Sequence, residues 1–114
     1  MKRFNFNENK CRDIFEKITN KKFPNVRPDW LRNPITNRSL ELDGFNEELK
    51  LAFEYNGVQH YKFTTFMHRS NDDFINQRMR DIFKISICRR RNIRLIVIPY
   101  DTSDLEKFIR CKIL

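Results

Sequence analysis

The chain has 114 residues, of which 39% are hydrophobic and 13% aromatic, so it can bury one core but is too short for two. We therefore predict a single domain over residues 1–114. Its 3 cysteines are far apart and form no CxxC pair, which argues against a zinc knuckle and a disulfide framework. No apolar run approaches the ~18 residues of a spanning helix and no signal-peptide pattern opens the chain. We expect a soluble intracellular protein of the cytoplasm or nucleus that is not secreted and binds no membrane.

The charge balance points to the kind of partner. Lysine and arginine total 23 against 15 aspartates and glutamates, which gives a formal net charge of +8. An excess of this size favours a polyanionic partner. Nucleic acid is the most economical candidate, and DNA is the partner we expect.

The first predicted element is a helix over residues 8–19, with Asn7 as its N-cap. Its apolar residues recur at the spacing of one helical face and are Cys11, Ile14, Phe15 and Ile18. Residues 21–37 contain three prolines and are predicted to form an extended connection across the surface. We expect Trp30 and Leu31 to pin this connection to the core.

A hairpin is predicted next. Residues 40–45 alternate between apolar and other side chains, residues 46–48 supply the turn, and residues 49–55 form the second strand. Side chains alternate between the faces of a strand, so Asp43 points opposite to its leucine neighbours, and Glu54 shares a face with the residues two positions away. The hairpin therefore brings the two carboxylates together if they face the same way.

A long helix is predicted over residues 72–91, followed by a strand over residues 93–98 that is buried on both faces and ends at Pro99. Asp101 or Ser103 is expected to cap a last short helix. That helix carries Leu105, Phe108 and Ile109. The order helix, strand, strand, helix, strand, helix predicts an α/β fold with a small mixed β-sheet flanked by helices on both sides.

The long helix is predicted to have two stripes. The polar stripe follows i, i+4, i+7, i+11 spacing and consists of Gln77, Asp81, Lys84 and Cys88. The apolar stripe beside it is expected to be the seam against the protein and consists of Ile75, Met79, Ile82 and Ser86. The polar stripe is either part of a site or a solvated face on which Asp81 pairs with Lys84.

Asp43 and Glu54 are the candidate metal ligands. Two carboxylates that converge on one point repel each other unless a cation lies between them. Hard oxygen ligands with room for water suit Mg²⁺ or Mn²⁺. The alternative is that both are polar residues on the wet face of a hairpin. A dense polar cluster over residues 55–60 at the strand end, beside Gly57, favours the site, because sites are commonly built at such positions.

The segment Leu42-Asp43 through Phe53-Glu54-Tyr55-Asn56-Gly57-Val58-Gln59-His60, preceded by a helix bearing Glu16 and followed by Arg80-Asp81 in the long helix, resembles the PD-(D/E)XK nuclease superfamily. It is most similar to the short branch of very-short-patch repair endonucleases and related small bacterial and viral nucleases. The resemblance runs from the first helix to the strand ending at Pro99. It implies a restriction-endonuclease-like fold and a DNA endonuclease that hydrolyses phosphodiester bonds through a metal-activated water.

The resemblance assigns roles residue by residue. Asp43 and Glu54 would hold the metal together with the backbone carbonyl of Tyr55, and Glu16 would support it through water. The lysine of the superfamily falls at Asn56 in this chain. An amide cannot supply the positive charge that the lysine offers, and loss of one such contact costs about 10²–10³ in rate.

Two replacements for the missing lysine are open. Lys84 can reach the site from the long helix on its flexible four-carbon stem, and this is the replacement we predict. Alternatively Gln59 and His60, just past the strand end, orient the attacking water or protonate the leaving oxygen. Two other readings stay open for the whole chain: a catalytically silent DNA-binding module with a degenerate nuclease fold, and a subunit whose homodimer completes the site.

Overall fold

The computed structural model describes residues 6–64 and 68–114. These residues form a small mixed α/β fold. The elements in chain order are α1 (Phe6–Thr19), β1 (Gly44–Asn46), β2 (Leu51–Asn56), a 3-10 turn (Val58–His60), α2 (Asn71–Arg90), β3 (Arg94–Pro99) and α3 (Leu105–Ile113). The predicted order of helices and strands is confirmed, and α1, α2 and β3 begin and end within two residues of their predicted bounds.

The sheet has the order β1-β2-β3, with β1 antiparallel and β3 parallel to the central strand β2. Gly44 lies opposite Phe53 in the hairpin. A Cβ at Gly44 would come within 2.0 Å of the Phe53 ring, so only glycine permits this close approach. The first predicted strand is shorter than expected, because Leu42 instead forms an isolated bridge with Val26.

Two apolar clusters lie on opposite faces of the sheet. One is formed by α1, α3 and the connection, packed on β2 and β3, and its buried members are Cys11, Ile14, Phe15, Phe23, Leu51, Phe53, Ile96, Ile98 and Ile109. The other lies under α2 and contains Leu31, Leu40, Leu42, Ala52, Cys88 and Ile93. The predicted helices on both sides of the sheet are thereby confirmed. Burial of apolar area at about 25 cal/mol per Å² stabilises both layers.

Strand β3 is buried more on one face than on the other. Ile96 and Ile98 are buried beneath α1 and α3, whereas Leu95 and Val97 on the α2 side are half-buried. The prediction of a strand buried on both faces is therefore right for one face only. The reason is that β3 is an edge strand of the described sheet and α2 covers it incompletely.

The connection after α1 is pinned as predicted. Leu31 is fully buried, and Trp30 packs edge-on against Phe45 with ring centroids 5.8 Å apart. The Arg91 guanidinium lies over the Trp30 ring at 4.6 Å from its centroid, which ties the connection to the end of α2.

Two predicted helix caps are wrong. Asn7 lies inside α1, which begins at Phe6, and its side-chain amide donates to the Tyr55 hydroxyl at 3.1 Å. Helix α3 is capped by Asp104, whose carboxylate accepts from the Lys107 amide at 3.0 Å, and not by the earlier Asp or Ser. A side chain caps a helix only if its oxygen reaches the N2 or N3 amide, and Asp104 stands directly before the helix.

The faces of α2 are the reverse of the prediction. Cys88 is fully buried and Lys84 is 13% exposed, so the polar stripe faces the protein. Ile75 and Ile82 of the apolar stripe are 51% and 58% exposed. The helix packs over the face of β2 that carries Glu54, and polar side chains satisfy that carboxylate where apolar ones would leave it unpaired.

Candidate functional site

Asp43 and Glu54 are locked together at the start of the hairpin. The strand register, extended by one residue from Gly44, places them opposite each other. The Asp43 amide donates to Glu54 Oε2 at 2.8 Å, and the Tyr55 amide donates to Asp43 Oδ2 at 2.9 Å. Each carboxylate is thus oriented by the main chain of the neighbouring strand, which fixes both side chains without depending on flexible partners.

Both carboxyl groups are buried, with Asp43 9% and Glu54 4% exposed. Burial raises the pKa of Asp43, and the negative charges of Glu54 and Glu8 raise it further. The Tyr55 amide and the Lys84 ammonium act in the opposite direction. Ionisation of the Asp43 carboxyl is therefore costly in the absence of a cation, and a cation bound beside it would favour the charged form.

Lys84 reaches this pair from α2. Its ammonium donates to Glu54 Oε1, and the two side chains are only 13% and 5% exposed. Asp81, one turn earlier, contacts His60 instead of Lys84, so the alternative of a solvated Asp81–Lys84 pair is wrong. Asn56, which stands where the nuclease resemblance predicts a lysine, is buried and hydrogen bonds to Tyr61.

A second polar group joins the 3-10 turn to α2. His60 Nδ1 lies 2.8 Å from Asp81 Oδ2 and 3.3 Å from Gln77 Nε2. An amide nitrogen does not accept hydrogen bonds, so a protonated Nδ1 can donate to Asp81 but not to Gln77. The shorter contact to a carboxylate is the stronger, and it places the proton on Nδ1. In neutral His60 the lone pair is then on Nε2.

Glu16 does not belong to this site. Its Oε2 accepts from the Phe23 amide at 2.8 Å and so holds the start of the connection. The acid that α1 brings to the cleft is Glu8. Glu8 is three and seven residues before Cys11 and Phe15, so it shares their inward face, whereas Glu16 is rotated about 100° from Phe15. Helical periodicity therefore places Glu8, and not Glu16, on the inward face of α1.

Arg12 is a site residue that sequence reasoning missed. Its guanidinium donates to the carbonyls of Asp43 and Phe23, the latter at 2.9 Å, and lies 3.3 Å from Glu8 Oε2. It thus fixes the main chain from which the Asp43 carboxylate projects. No spacing or motif marked this residue, because its role depends on a contact 31 residues away along the chain.

These side chains surround one open cleft of about 540 Å³. Six of the seven predicted catalytic residues line it, with Glu16 the exception. The lining residues are Phe6, Asn7, Glu8, Glu41, Asp43, Glu54, Tyr55, Asn56, Gly57, Gln59, His60, Gln77 and Lys84. The cleft is chiefly polar, so it suits a charged and hydrated ligand more than an apolar one.

Within residues 6–64 and 68–114, no group of three or more His, Cys, Asp and Glu side chains is arranged to hold a metal ion. The candidate donor set is therefore two carboxylates, with the Tyr55 carbonyl remaining a predicted third ligand. In the same described part of the chain, no helix is both long enough and apolar enough to span a membrane.

Comparison with known proteins finds viral relatives. Uncharacterized protein 033L of Invertebrate iridescent virus 3 is 41% identical over 108 residues, covering 93% of this chain and 56% of the relative. Uncharacterized protein 094L of Frog virus 3 (isolate Goorha) is 40% identical over 101 residues, 88% of this chain and 65% of the relative. Uncharacterized protein 307L of Invertebrate iridescent virus 6 is 41% identical over 96 residues, 80% of this chain and 49% of the relative.

The chain thus spans about half to two thirds of the length of these relatives. No family model matches the chain. No solved structure matches it either. The likeness is therefore to viral proteins whose names state no activity, and the functional argument rests on the cleft itself.

Proposed function

We propose that this protein is a divalent-metal-dependent DNA endonuclease with a restriction-endonuclease-like fold. The observation that carries the proposal is the buried Asp43–Glu54 pair, in which each carboxylate accepts from a main-chain amide at the edge of an open polar cleft. Two buried acids side by side are costly to the fold unless they serve a ligand.

The donor set fits Mg²⁺ or Mn²⁺. Mg²⁺ takes one or two protein carboxylates and completes its shell with waters and substrate phosphates, so a third acidic side chain is not required. Oxygen donors also disfavour softer metals such as zinc, which selects thiolate and imidazole. Bound at this pair, the cation would supply a water of lowered pKa and charge neutralisation at the scissile phosphate.

Lys84 would replace the lysine that Asn56 does not provide. Its ammonium is already inside the cleft, held against Glu54. An ammonium at this position lies beside any phosphate that reaches the carboxylate pair. It would stabilise the negative charge that develops on the phosphate oxygens in the transition state, and it would also offset the repulsion between the two acids.

His60 is the candidate for proton transfer. Asp81 holds Nδ1 and fixes the ring, while Nε2 is the nitrogen available for acid–base chemistry. In protonated form it would donate to the leaving oxygen, and in neutral form it would orient the attacking water. Gln59, beside it on the cleft wall, offers the same water a hydrogen bond without carrying a proton.

The test is cleavage of a panel of supercoiled, linear, flap and branched DNAs with Mg²⁺, Mn²⁺ or EDTA. The wild-type chain should cleave at least one substrate only with a divalent cation, and Glu54→Gln should abolish cleavage. Glu106→Gln is the matched control, because Glu106 is exposed on α3 and does not line the cleft. Cleavage in EDTA, or cleavage by Glu54→Gln at the wild-type rate, would contradict the proposal.

A second function is favoured by the ion pair itself. Because Lys84 neutralises Glu54, the negative charge of the Asp43–Glu54 pair is partly compensated without any metal ion, as a silent DNA-binding module would require. Such a module would bind DNA with an affinity that falls with salt at a log–log slope of about −0.9 per phosphate contacted, but would show no cation-dependent melting shift. A flat salt dependence would count against both functions.

A further inference from the structure

The outward face of α2 carries an apolar stripe. Ile75, Ile82 and Ile85 are 51%, 58% and 41% exposed. Together with two arginines, Arg78 and Arg89, they recur at spacings of three, four, three and four residues, which is the repeat of a helix–helix seam. Single exposed isoleucines need no explanation, but three on one helical stripe make an apolar patch of the kind found at interaction sites.

The charges at the two ends of α2 are opposite. The first turn contains Asp72 and Asp73, and the last turn contains Arg89 and Arg90. Asp72 and Arg90 are 18 residues apart, which at about 3.6 residues per turn is five full turns, so both lie on the same flank of the helix. A helix of this kind is complementary to a copy of itself that runs in the opposite direction.

We propose that α2 is the docking face for a second copy of this chain, with the two helices antiparallel about a two-fold axis. The axis passes at the level of residue 81, midway between Asp72 and Arg90. Ile82 then packs against its equivalent next to the axis, and Ile75 packs near Ile85 of the second copy. Each end forms an Asp72–Arg90 contact, so the two-fold symmetry supplies two.

The charge pattern selects the occupant. A helix that binds a phosphate backbone would need cations at both ends, whereas the acidic first turn of α2 would repel phosphate. An unrelated acidic partner would leave that turn unpaired as well. An antiparallel copy pairs both ends, and in such pairs residues on the same flank face each other across the seam.

The three isoleucines of the docking face lie outside the cleft, and the stripe touches it only through Arg78, which donates to the His60 carbonyl at 3.4 Å. Lys84 and Gln77 occupy the opposite side of α2, rotated by roughly 140° or more from Ile82. Dimerisation therefore leaves the cleft open, and the inference does not rest on the proposed nuclease function. An inactive dimer and an active monomer are distinguishable outcomes.

The first experiment is sedimentation equilibrium of the 114-residue chain in EDTA from about 5 µM to about 1 mM, a range that covers weak dimers with small interfaces. We expect a reversible dimer. Ile82→Glu should raise its Kd at least about 100-fold, since a charge would be buried twice at the axis. Ile35→Glu is the control, because Ile35 is 70% exposed and lies in the connection. Far-UV circular dichroism checks that both variants fold.

The second experiment tests the direction of packing by charge exchange. Asp72→Arg and Arg90→Asp should each weaken the dimer about 3- to 10-fold in low salt, because each places like charges together at both ends. The double variant Asp72→Arg/Arg90→Asp should restore the wild-type Kd. A monomer at every concentration, or an unchanged Kd in Ile82→Glu, would overturn the proposal. A double variant as weak as the singles would overturn the antiparallel arrangement.

Discussion

The two faces of strand β2 are equally buried but chemically different. Phe53 faces α1 and stacks on Phe15 with ring centroids 4.7 Å apart, in a layer of apolar side chains. Glu54, the next residue, faces α2 and accepts from a lysine and a main-chain amide. Burial of the Phe53 face stabilises the fold through the hydrophobic effect, whereas burial of charges on the Glu54 face carries a desolvation cost that offsets part of this stabilisation.

This difference teaches where function can be separated from stability. Changes on the Phe53 face should alter unfolding without altering the cleft chemistry. Changes on the Glu54 face should alter metal binding and turnover, and several of them should leave the fold as stable as before or more stable. Such a division is expected where a site is built at a cost to the fold.

The largest effect should come from Phe53→Ala. The side chain is fully buried and packs on Phe15, so its loss should lower the free energy of unfolding by about 3–5 kcal/mol. Urea unfolding followed by circular dichroism measures this. Phe63→Ala is the control, because Phe63 is 40% exposed and should cost far less. Equal losses in the two variants would mean that the buried Phe53 layer contributes no more to stability than an exposed loop residue does.

The fold was largely predictable because each element carries a local pattern. The helix and strand periods place α1, α2 and β3 within two residues of their ends. The errors concern long-range contacts. Which stripe of α2 faces inward depends on the buried Glu54, a residue 30 positions from Lys84, and periodicity without that partner selects the apolar stripe.

The candidate site was predictable to the extent that it lies in one strand and its neighbours. The cluster at the end of β2 is contiguous in sequence, and it supplies four of the six predicted catalytic residues that line the cleft, namely Glu54, Asn56, Gln59 and His60. Glu8 and Arg12 were not predicted. Their roles depend on how α1 meets Asp43, and that packing is set by tertiary contacts rather than by any motif.

The second largest effect should come from Lys84→Ala. In saturating Mg²⁺ we expect turnover to fall about 10²-fold while metal and DNA affinity stay nearly unchanged, as when a contact made only in the transition state is removed. Without a cation the variant should also be less stable, because Glu54 loses its buried partner. Single-turnover kinetics at fixed Mg²⁺ separates the two effects.

Gln59→Ala and His60→Ala are the comparison variants for Lys84. If either loses turnover while Lys84→Ala cleaves like the wild type, the missing lysine is replaced by the strand-end cluster and not by α2. If the wild type is already inactive and all variants match it, the silent binding module replaces the nuclease as the function of this fold.

Asp43→Asn should give a smaller effect of opposite sign on stability. Burial and the Glu54 charge raise the pKa of Asp43 from its ordinary value of 3.8. Because the folded state holds this proton more tightly than the unfolded state does, the stability that the bound proton provides is fully present below the unfolded pKa. This stability decreases as pH rises from there and is lost once the pH has passed the folded pKa. In EDTA at neutral pH the variant should therefore melt roughly 4–8 °C higher, the shift expected for about 1 kcal/mol.

The same variant should lose the response to metal. Mg²⁺ should raise the melting temperature of the wild type and leave Asp43→Asn unchanged, since the cation stabilises only a state that binds it. Differential scanning fluorimetry from pH 5 to pH 9, with and without Mg²⁺, gives both results. Equal Mg²⁺ shifts in the two proteins would remove Asp43 from the donor set.

The smallest effect, and the sharpest test of geometry, should come from two glutamates of α1. Glu8→Gln removes a negative charge beside the cleft, so the variant should bind Mg²⁺ roughly 2- to 5-fold more weakly than the wild type while the fold is retained. Glu16→Gln should leave metal affinity and turnover unchanged, because the amide oxygen can still accept from the Phe23 amide. Isothermal titration with Mg²⁺ and cleavage at subsaturating Mg²⁺ measure the pair. A reversed result, with Glu16→Gln weakening Mg²⁺ binding and Glu8→Gln neutral, would mean that the metal is held on the other side of α1 and that the Asp43–Glu54 cleft is not the site.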